Sequence, residues 1–215
     1  MGAVRHNPKH AVTDEGVVRE LIAENPWATI VSQHEGGIVA SHYPVLLDEG
    51  SDELAVLTHV GRPDEEVHRL GTTEVLLIVA GRHGYISPSW YTHQATPAPT
   101  WNFSVAHCYG MPEILDGEEN LRVLTRLVDH FEQHVEAPVH LDQEIGARLA
   151  RGTVGIRLPI TRFLCKVKMS QNKDPQTQQQ VHDALRRPGH YRDPDLADDM
   201  QRALATPPSI YNRDH

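Results

Sequence analysis

The densest run of chemistry in the chain is Lys166-Val167-Lys168-Met169-Ser170-Gln171-Asn172-Lys173. On a strand, two cations two residues apart share one face, and a hydroxyl and two amides follow directly. Such a group can bind a phosphate or a carboxylate; a solvated strand end is the plainer alternative. A second run reads Gly84-Tyr85-Ile86-Ser87-Pro88-Ser89-Trp90-Tyr91 and resumes at Ala98-Pro99-Thr100-Trp101-Asn102-Phe103. On composition alone it could be a rigid aromatic loop that only seals the fold, because aromatic residues usually supply packing. A third run is Ala40-Ser41-His42-Tyr43-Pro44. The 15 histidines are dispersed rather than tag-like, so one or two of them could be ligands. Cys108 and Cys165 form no CxxC pair and no CxxCH haem-attachment sequence, and read as buried thiols.

These groups need a scaffold. With 215 residues and 39% hydrophobic content the chain can bury a substantial core. Its net charge of −9 argues against a nucleic-acid partner, which requires clustered Lys and Arg. No apolar run approaches the roughly 20 residues of a membrane span, and residues 1–10 contain no apolar signal segment. No membrane partner and a cytoplasmic location are therefore expected.

Periodicity predicts a helix from Thr13-Asp14 through Val17, Val18, Leu21 and Ile22, ended by Asn25-Pro26. Strands are expected at 27–33 and 38–47, joined by a turn at 34–37, and again at 54–59. A short helix at 63–70 follows. Residues 74–80 are nearly all apolar and predict a strand buried on both faces. Residues 81–100 read as a loop, and 101–115 contain a further strand. Leu121, Leu124, Leu127, Val128 and Phe131 mark an amphipathic helix over 118–135. A shorter helix over 141–150, one long strand over 153–169 and a helical segment over 178–187 complete the pattern. From Pro188 onward the chain is rich in Pro, Asp and Arg and reads as a poorly packed tail with one helix around 196–204. No GxGxxG or GxxxxGK[ST] motif supports a nucleotide fold. The expected domains are a cofactor-binding domain at 1–187 and a polar C-terminal tail at 188–215.

The three runs, in this order and spacing, resemble the PaiB-like family of FMN-binding split barrels, often labelled negative transcriptional regulators. The resemblance extends from about residue 14 to residue 187. It implies a mainly β fold, a six-stranded antiparallel split β-barrel with appended helices, a homodimer, and a cofactor at the subunit interface.

FMN-binding members of that family typically read Gly-His-x-x-Arg-Ala-Asn-Pro after the third strand. Here the stretch is Thr58-His59-Val60-Gly61-Arg62-Pro63-Asp64-Glu65-Glu66. His59 and Arg62 are kept, but Asp64 replaces the Asn and two more acids follow. A carboxylate about 4 Å from a phosphate opposes it by about 1–4 kcal/mol, and Pro63 removes a backbone donor. This departure is similar to the branch of the family that has exchanged flavin for haem. Those piperazate synthases convert N5-hydroxy-L-ornithine to L-piperazic acid by N–N bond formation.

That branch implies haem b with His59 as axial ligand, the iron acting as a Lewis acid on an N–O bond while the substrate's α-amine attacks and water leaves. Asp64, Glu65 or Glu66 would accept the other ring N–H of His59. Tyr85, Ser87, Trp90, Tyr91, Thr100 and Trp101 would line the pocket, with Tyr85, Ser87, His42 and His107 as acid–base candidates. Lys166, Lys168, Gln171 and Asn172 would hold haem propionates or the carboxylate of a small amino-acid substrate, beside the retained Arg62. A purely structural His59, and the thiolates of Cys108 and Cys165 as rival ligands, stand as alternatives. So do an FMN-binding redox protein, supported by His59, Arg62, Lys168 and Gln171, and a PaiB-like regulator, for which no helix-turn-helix is evident.

Overall fold

The computed structural model describes residues 9–92 and 98–205. In chain order the elements are β1 (Ala11–Val12), α1 (Glu15–Glu24), β2 (Trp27–His34), β3 (Gly37–Pro44), β4 (Leu46–Leu47), β5 (Ala55–Gly61), α2 (Arg62–His68) and β6 (Val75–Ile86). There follow a 3-10 turn (Pro88–Trp90), β7 (Thr100–Gly110), β8 (Glu113–Leu115), α3 (Glu118–Glu132), α4 (Gln143–Ala150), β9 (Thr153–Pro159), β10 (Arg162–Lys168), α5 (Pro175–Arg186) and α6 (Pro194–Ala205). The fold is mainly β, with a six-stranded sheet ordered β1-β10-β7-β6-β2-β3 and a four-stranded sheet ordered β4-β5-β9-β8. The expected six-stranded antiparallel sheet with appended helices is present. The smaller sheet is the part that hydrophobic pattern alone did not separate.

Two compact units make up the chain: Met1–Val18, Ala80–Ala106 and Leu164–His215 form the first, and Arg19–Val79 with His107–Phe163 the second. In the second unit β2 and β3 pair as a hairpin from Trp27↔Pro44 to His34↔Gly37. Gly37 sits at φ 115°, a conformation open to glycine at little cost, so the turn falls where the sequence predicts it. β5 pairs antiparallel with β9 from Ala55↔Pro159 to Gly61↔Thr153. Leu46, Leu57, Val123 and Leu127 pack together, bringing α3 into a core with β4 and β5. Asn120 of α3 donates to the carbonyls of Ala150 and Thr153 at 3.0 Å each. Arg157 gathers Asp48, Glu53 and Glu113 at 2.8, 2.7 and 3.0 Å.

Gly110 closes β7 where a Cβ would lie 1.9 Å from the Pro159 carbonyl oxygen. Both atoms belong to backbone, so neither can swing aside. Gly110→Ala is expected to destabilise by about 3 kcal/mol or more, through overpacking. That corresponds to a fall in melting temperature of roughly 6–12 °C for a chain of this size. A melting curve superimposable on the parent's would contradict the close approach.

In the first unit β1 pairs with β10, Ala11 opposite Lys166 and Val12 opposite Cys165. The core there is Ile86, Met169, Val181, Leu185, Leu196, Ala197, Met200 and Ala203. Asp174 caps α5, its Oδ1 accepting from Thr177 N at 2.9 Å, and Pro175 occupies the first turn. Asp193 does the same for α6, accepting from Leu196 N at 2.9 Å.

Several expectations need correction. Pro194–Ala205 is not a poorly packed tail: Leu196, Ala197 and Met200 of α6 are fully buried against α5, while residues 206–215 lie outside the described residues. The strand predicted at 74–80 continues to Ile86, so the first part of the expected loop, residues 81–86, is strand. It is not buried on both faces either, since Val75, Leu77 and Val79 are buried and Leu76 and Ile78 only half-buried. The long strand over 153–169 is two, β9 and β10, separated at Ile160–Thr161 just after Pro159, which cannot donate to a ladder.

Candidate functional site

The residues singled out from sequence fall into two groups, one in each unit. His42, His59, Arg62 and His107 lie in the second, and Tyr85, Ser87, Trp90, Tyr91, Thr100, Trp101, Lys166, Lys168, Gln171 and Asn172 in the first.

In the second unit, His59 sits near the end of β5 opposite Gly155 of β9. Burial alone holds its pKa below the ordinary value, so the imidazole is neutral. Its Nδ1 is buried and has no hydrogen-bond partner. The expected support from the neighbouring acids is not present: Asp64 is engaged elsewhere, and Glu65 pairs with Arg62 at 3.6 Å. Arg62 also donates from Nε to the Arg151 carbonyl at 3.0 Å and meets Asp116 at 3.5 Å, so its guanidinium is already committed.

Strand alternation puts Ser41 and Tyr43 on the face of β3 opposite His42. His42 is exposed and stacks on Trp27, ring centroids 6.5 Å apart, away from the other candidates. Tyr43 instead donates its hydroxyl to Asp64. Burial first, then this bond, raises the Tyr43 pKa to about 12. Hydrogen bonds from Tyr43 and Ser41 hold the Asp64 carboxyl below its usual range. His68, 1% exposed, lies between Ser32 Oγ at 2.9 Å from Nδ1 and Ser41 Oγ at 3.0 Å from Nε2.

The direction of every proton in this network follows from the charge on Asp64. An ionised carboxylate only accepts, so Ser41 spends its one proton on Asp64, and His68 Nε2–H donates to Ser41. Burial keeps His68 neutral, so its Nδ1 accepts from Ser32. Ser41, Tyr43 and His68 are the members that sequence reasoning passed over. Two of them sat in the quoted 40–44 run, but His42 drew the attention. His107, half-buried on β7 with its pKa lowered by burial, joins none of these bonds.

In the first unit, Tyr85 lies edge-on to Trp101 at 6.2 Å and 5.0 Å from Tyr191, which in turn meets Trp90 at 6.5 Å. Trp90 and Tyr91 pack against the core. The Tyr91 hydroxyl is buried without a partner, and its pKa is raised by burial. Ser87 caps the 3-10 turn, accepting from Ser89 N at 3.2 Å, a structural task. Lys168 donates to Thr100 Oγ1. Gln171 is turned back on its own strand end: Oε1 accepts from Met169 N at 2.6 Å and Nε2 donates to the Val167 carbonyl at 2.8 Å. Its amide therefore supports the backbone of the lysine strand, while Asn172 is exposed. Among the described residues, no three His, Cys, Asp or Glu side chains gather to hold a bare metal ion. No helix there is long and apolar enough to cross a membrane.

Residues 5–162 match a family model described as "Putative FMN-binding domain". The match stops before the Lys166–Lys173 run. The chain is 28% identical over 172 residues to protease synthase and sporulation protein PAI 2 of Bacillus subtilis, spanning 78% of this chain and 82% of that one. Among solved structures it resembles the FAD and haem binding protein of Mycobacterium smegmatis, with TM-score 0.57, 15% identity, and coverage of 74% and 73%. It also resembles the flavocytochrome Anf3 of Azotobacter vinelandii, with TM-score 0.56, 18% identity, and coverage of 74% and 69%. These two likenesses are of fold. With more than half of its length under one family model, and the PAI 2 relative aligned along most of it, the chain belongs to the PaiB-like, FMN-binding split-barrel family.

Proposed function

We propose that this chain is a split-barrel cofactor protein that holds haem through His59 rather than FMN through the Asp64 region. The observation carrying this reading is His59 itself, a neutral imidazole with a buried ring nitrogen that nothing in the described structure claims. That is the state a haem ligand requires. The filled hydrogen bonds around Asp64 and the committed Arg62 weigh against a phosphate at the same place. By their names the Mycobacterium protein binds both FAD and haem and the Azotobacter protein is a flavocytochrome, so this fold admits haem as well as flavin.

Flavin is the second reading, favoured by the family model and therefore by descent. A regulatory role like that of PaiB is the third, favoured by the Bacillus relative. The absorbance spectrum of protein expressed with added haem and riboflavin separates all three. A Soret band supports haem, flavin bands overturn it, and a colourless protein leaves the regulator.

The finer reading is an enzyme similar to piperazate synthase, acting on N5-hydroxy-L-ornithine. Bound haem would supply a Lewis acid for an N–O bond. The chain's own part is to hold the substrate folded, accept a proton from the α-ammonium and donate one to the leaving oxygen. Incubation of haem-loaded protein with N5-hydroxyornithine should give a product lighter by one water; unchanged substrate would remove this reading and leave the cofactor assignment standing.

We further propose that a second copy of the chain covers the outer face of the β2–β3 hairpin. Trp27 and Ile38 there are 63% and 73% exposed, with Ala40 and Val31 between them and only His42 titratable. An apolar, nearly uncharged sheet face of this kind marks an interface. Sedimentation should show twice the 24.1 kDa chain mass, and Ile38→Lys should shift the protein to monomer. A parent sedimenting as a monomer at micromolar concentration would contradict this.

A further inference from the structure

The second unit contains a cavity lined by none of the residues that the family resemblance implies. Its volume is about 350 Å3, which falls in the range of small-molecule sites, roughly 300–1,000 Å3. The floor is the aliphatic segment 45–47 that contains β4, with Val45 and Leu46 0% and 9% exposed. One wall is the end of α1 at Ala23, where a small side chain leaves the space open. The other wall is α3. Val123, Leu124 and Leu127 bury one side of that helix, and Arg126, Asp129 and Gln133, at i, i+3 and i+7, turn the neighbouring polar stripe toward the cavity. Glu49 stands at the rim, exposed.

These polar groups keep bonding capacity in hand. The one ion contact of Arg126 is to Asp48 at 3.8 Å, and Arg157 already holds that carboxylate at 2.8 Å. Most of the five guanidinium donors of Arg126 are therefore free for a carboxylate. Asp129 accepts from His140 at 2.9 Å through one oxygen only. Gln133 donates to the His130 carbonyl at 2.7 Å, which leaves its own amide oxygen as an acceptor. Helices α1 and α3 both end at the cavity, at Glu24 and Glu132, and a helix C-terminus carries partial negative charge that favours a cation. One end of the cavity thus offers a guanidinium, and the rest of its polar lining offers acceptors.

We propose that this cavity binds a small zwitterion with an aliphatic side chain, of the chemistry of a free aliphatic amino acid. The carboxylate meets Arg126, the ammonium meets Asp129, Gln133 and the helix ends, and the side chain lies on residues 45–47. One helical turn, about 5.4 Å, separates the Arg126 and Asp129 positions, a spacing that the adjacent carboxylate and ammonium of an α-amino acid can bridge. Charge decides against simpler ligands. A plain anion would face Asp129, Glu49 and two helix C-termini, and a plain amine would be opposed by Arg126 and leave its donors unmet. The aliphatic floor likewise disfavours a polar side chain, whose groups would lose water without gaining partners. The site stands independently of the cofactor that the chain carries.

The probe is L-leucine, titrated into the purified protein with its valine and leucine methyl groups labelled with 13C. The methyl signals of Val45, Leu46 and Leu47 are expected to shift saturably. Two truncated probes, 4-methylpentanoate without the amine and 3-methylbutylamine without the carboxylate, should each bind about tenfold or more weaker, since each loses a charged hydrogen-bonding end. Arg126→Gln and Asp129→Asn should each weaken leucine by a similar factor, and Ala23→Leu, which fills the wall, should abolish the shifts. Equal affinity for leucine and either truncated probe would overturn the zwitterion assignment. No saturable shift, or shifts confined to methyl groups outside residues 45–47, would overturn the site. The parent protein gives this answer even if a variant fails to fold. Repeating the titration on His59→Ala separates this test from that of the cofactor: leucine binding should be unchanged there, and its loss would place the ligand elsewhere and overturn the proposal.

Discussion

Replacing His59 with alanine is expected to abolish axial ligation of haem. The parent, loaded with haem, should show the spectrum of a histidine-ligated protein; the variant should bind haem at least about 100-fold more weakly, since loss of even an outer-shell partner can cost that much. Free imidazole should restore the parent spectrum by occupying the space the side chain leaves. The reasoning rests on protonation as much as on position. A ligand nitrogen must carry a lone pair, and burial keeps the His59 ring neutral at a pH where an ordinary histidine is partly charged. Two other candidates make useful controls. His42 is exposed on the Trp27 face and His107 lies on β7, so His42→Ala and His107→Ala should keep the ligation spectrum. Cys108 is fully buried with its thiol pushed up to about 12, the wrong direction for a thiolate ligand. If His59→Ala retains the parent spectrum, without rescue by imidazole, the ligand is some other group.

The sequence carried the scaffold better than the site, for physical reasons that can be traced to particular residues. Hairpin, caps and amphipathic stripe are local signals: Gly37 turns β2 into β3, and α3 buries Leu124 and Leu127 of the expected stripe, with Val123 buried in addition and Phe131 exposed. Helix α6 was legible by the same rules. Asp193-Pro194 is a cap and first turn, and Leu196, Ala197, Met200 and Ala203 follow at helical spacing. The helix itself is read at 196–204; the Pro, Asp and Arg content of the segment hid how deeply that stripe is buried. The extent of β6 was not legible, because Gly81 and Gly84 are loop residues by propensity and become strand only through pairing. The Asp64 network is a different case. Ser32, Ser41, Tyr43, Asp64 and His68 come from β2, β3 and α2, and ordinary residue types that meet only in three dimensions leave no mark in a linear motif. What could be read was the departure at Asp64; what it does required the fold.

Asp64 supplies the other large expected effect. Its carboxylate accepts from Tyr43 and Ser41, the kind of donors a bound phosphate would otherwise engage, so the protein carries an anion of its own at that place. Asp64→Asn removes the charge with little change of shape, and Asp64→Ala also frees both hydroxyls. FMN affinity should rise by about tenfold or more in each, since a unit-charge repulsion of about 1–4 kcal/mol at roughly 4 Å is relieved. The site is partly exposed, which places the expectation toward the lower end of that range. Riboflavin has the same ring system and no phosphate, so its affinity should not change, and the ratio of the two affinities isolates the effect. Tyr43 gives a second readout. Its pKa stands at about 12 through burial first and the Asp64 bond second. The substitution removes only the second cause, so the tyrosine should titrate lower than in the parent while staying above its ordinary value. Equal gains for FMN and riboflavin would show that Asp64 shapes a ring pocket instead of repelling a phosphate. Nanomolar FMN binding by the unmodified protein would show that the carboxylate is no barrier, and would move the flavin reading ahead of haem.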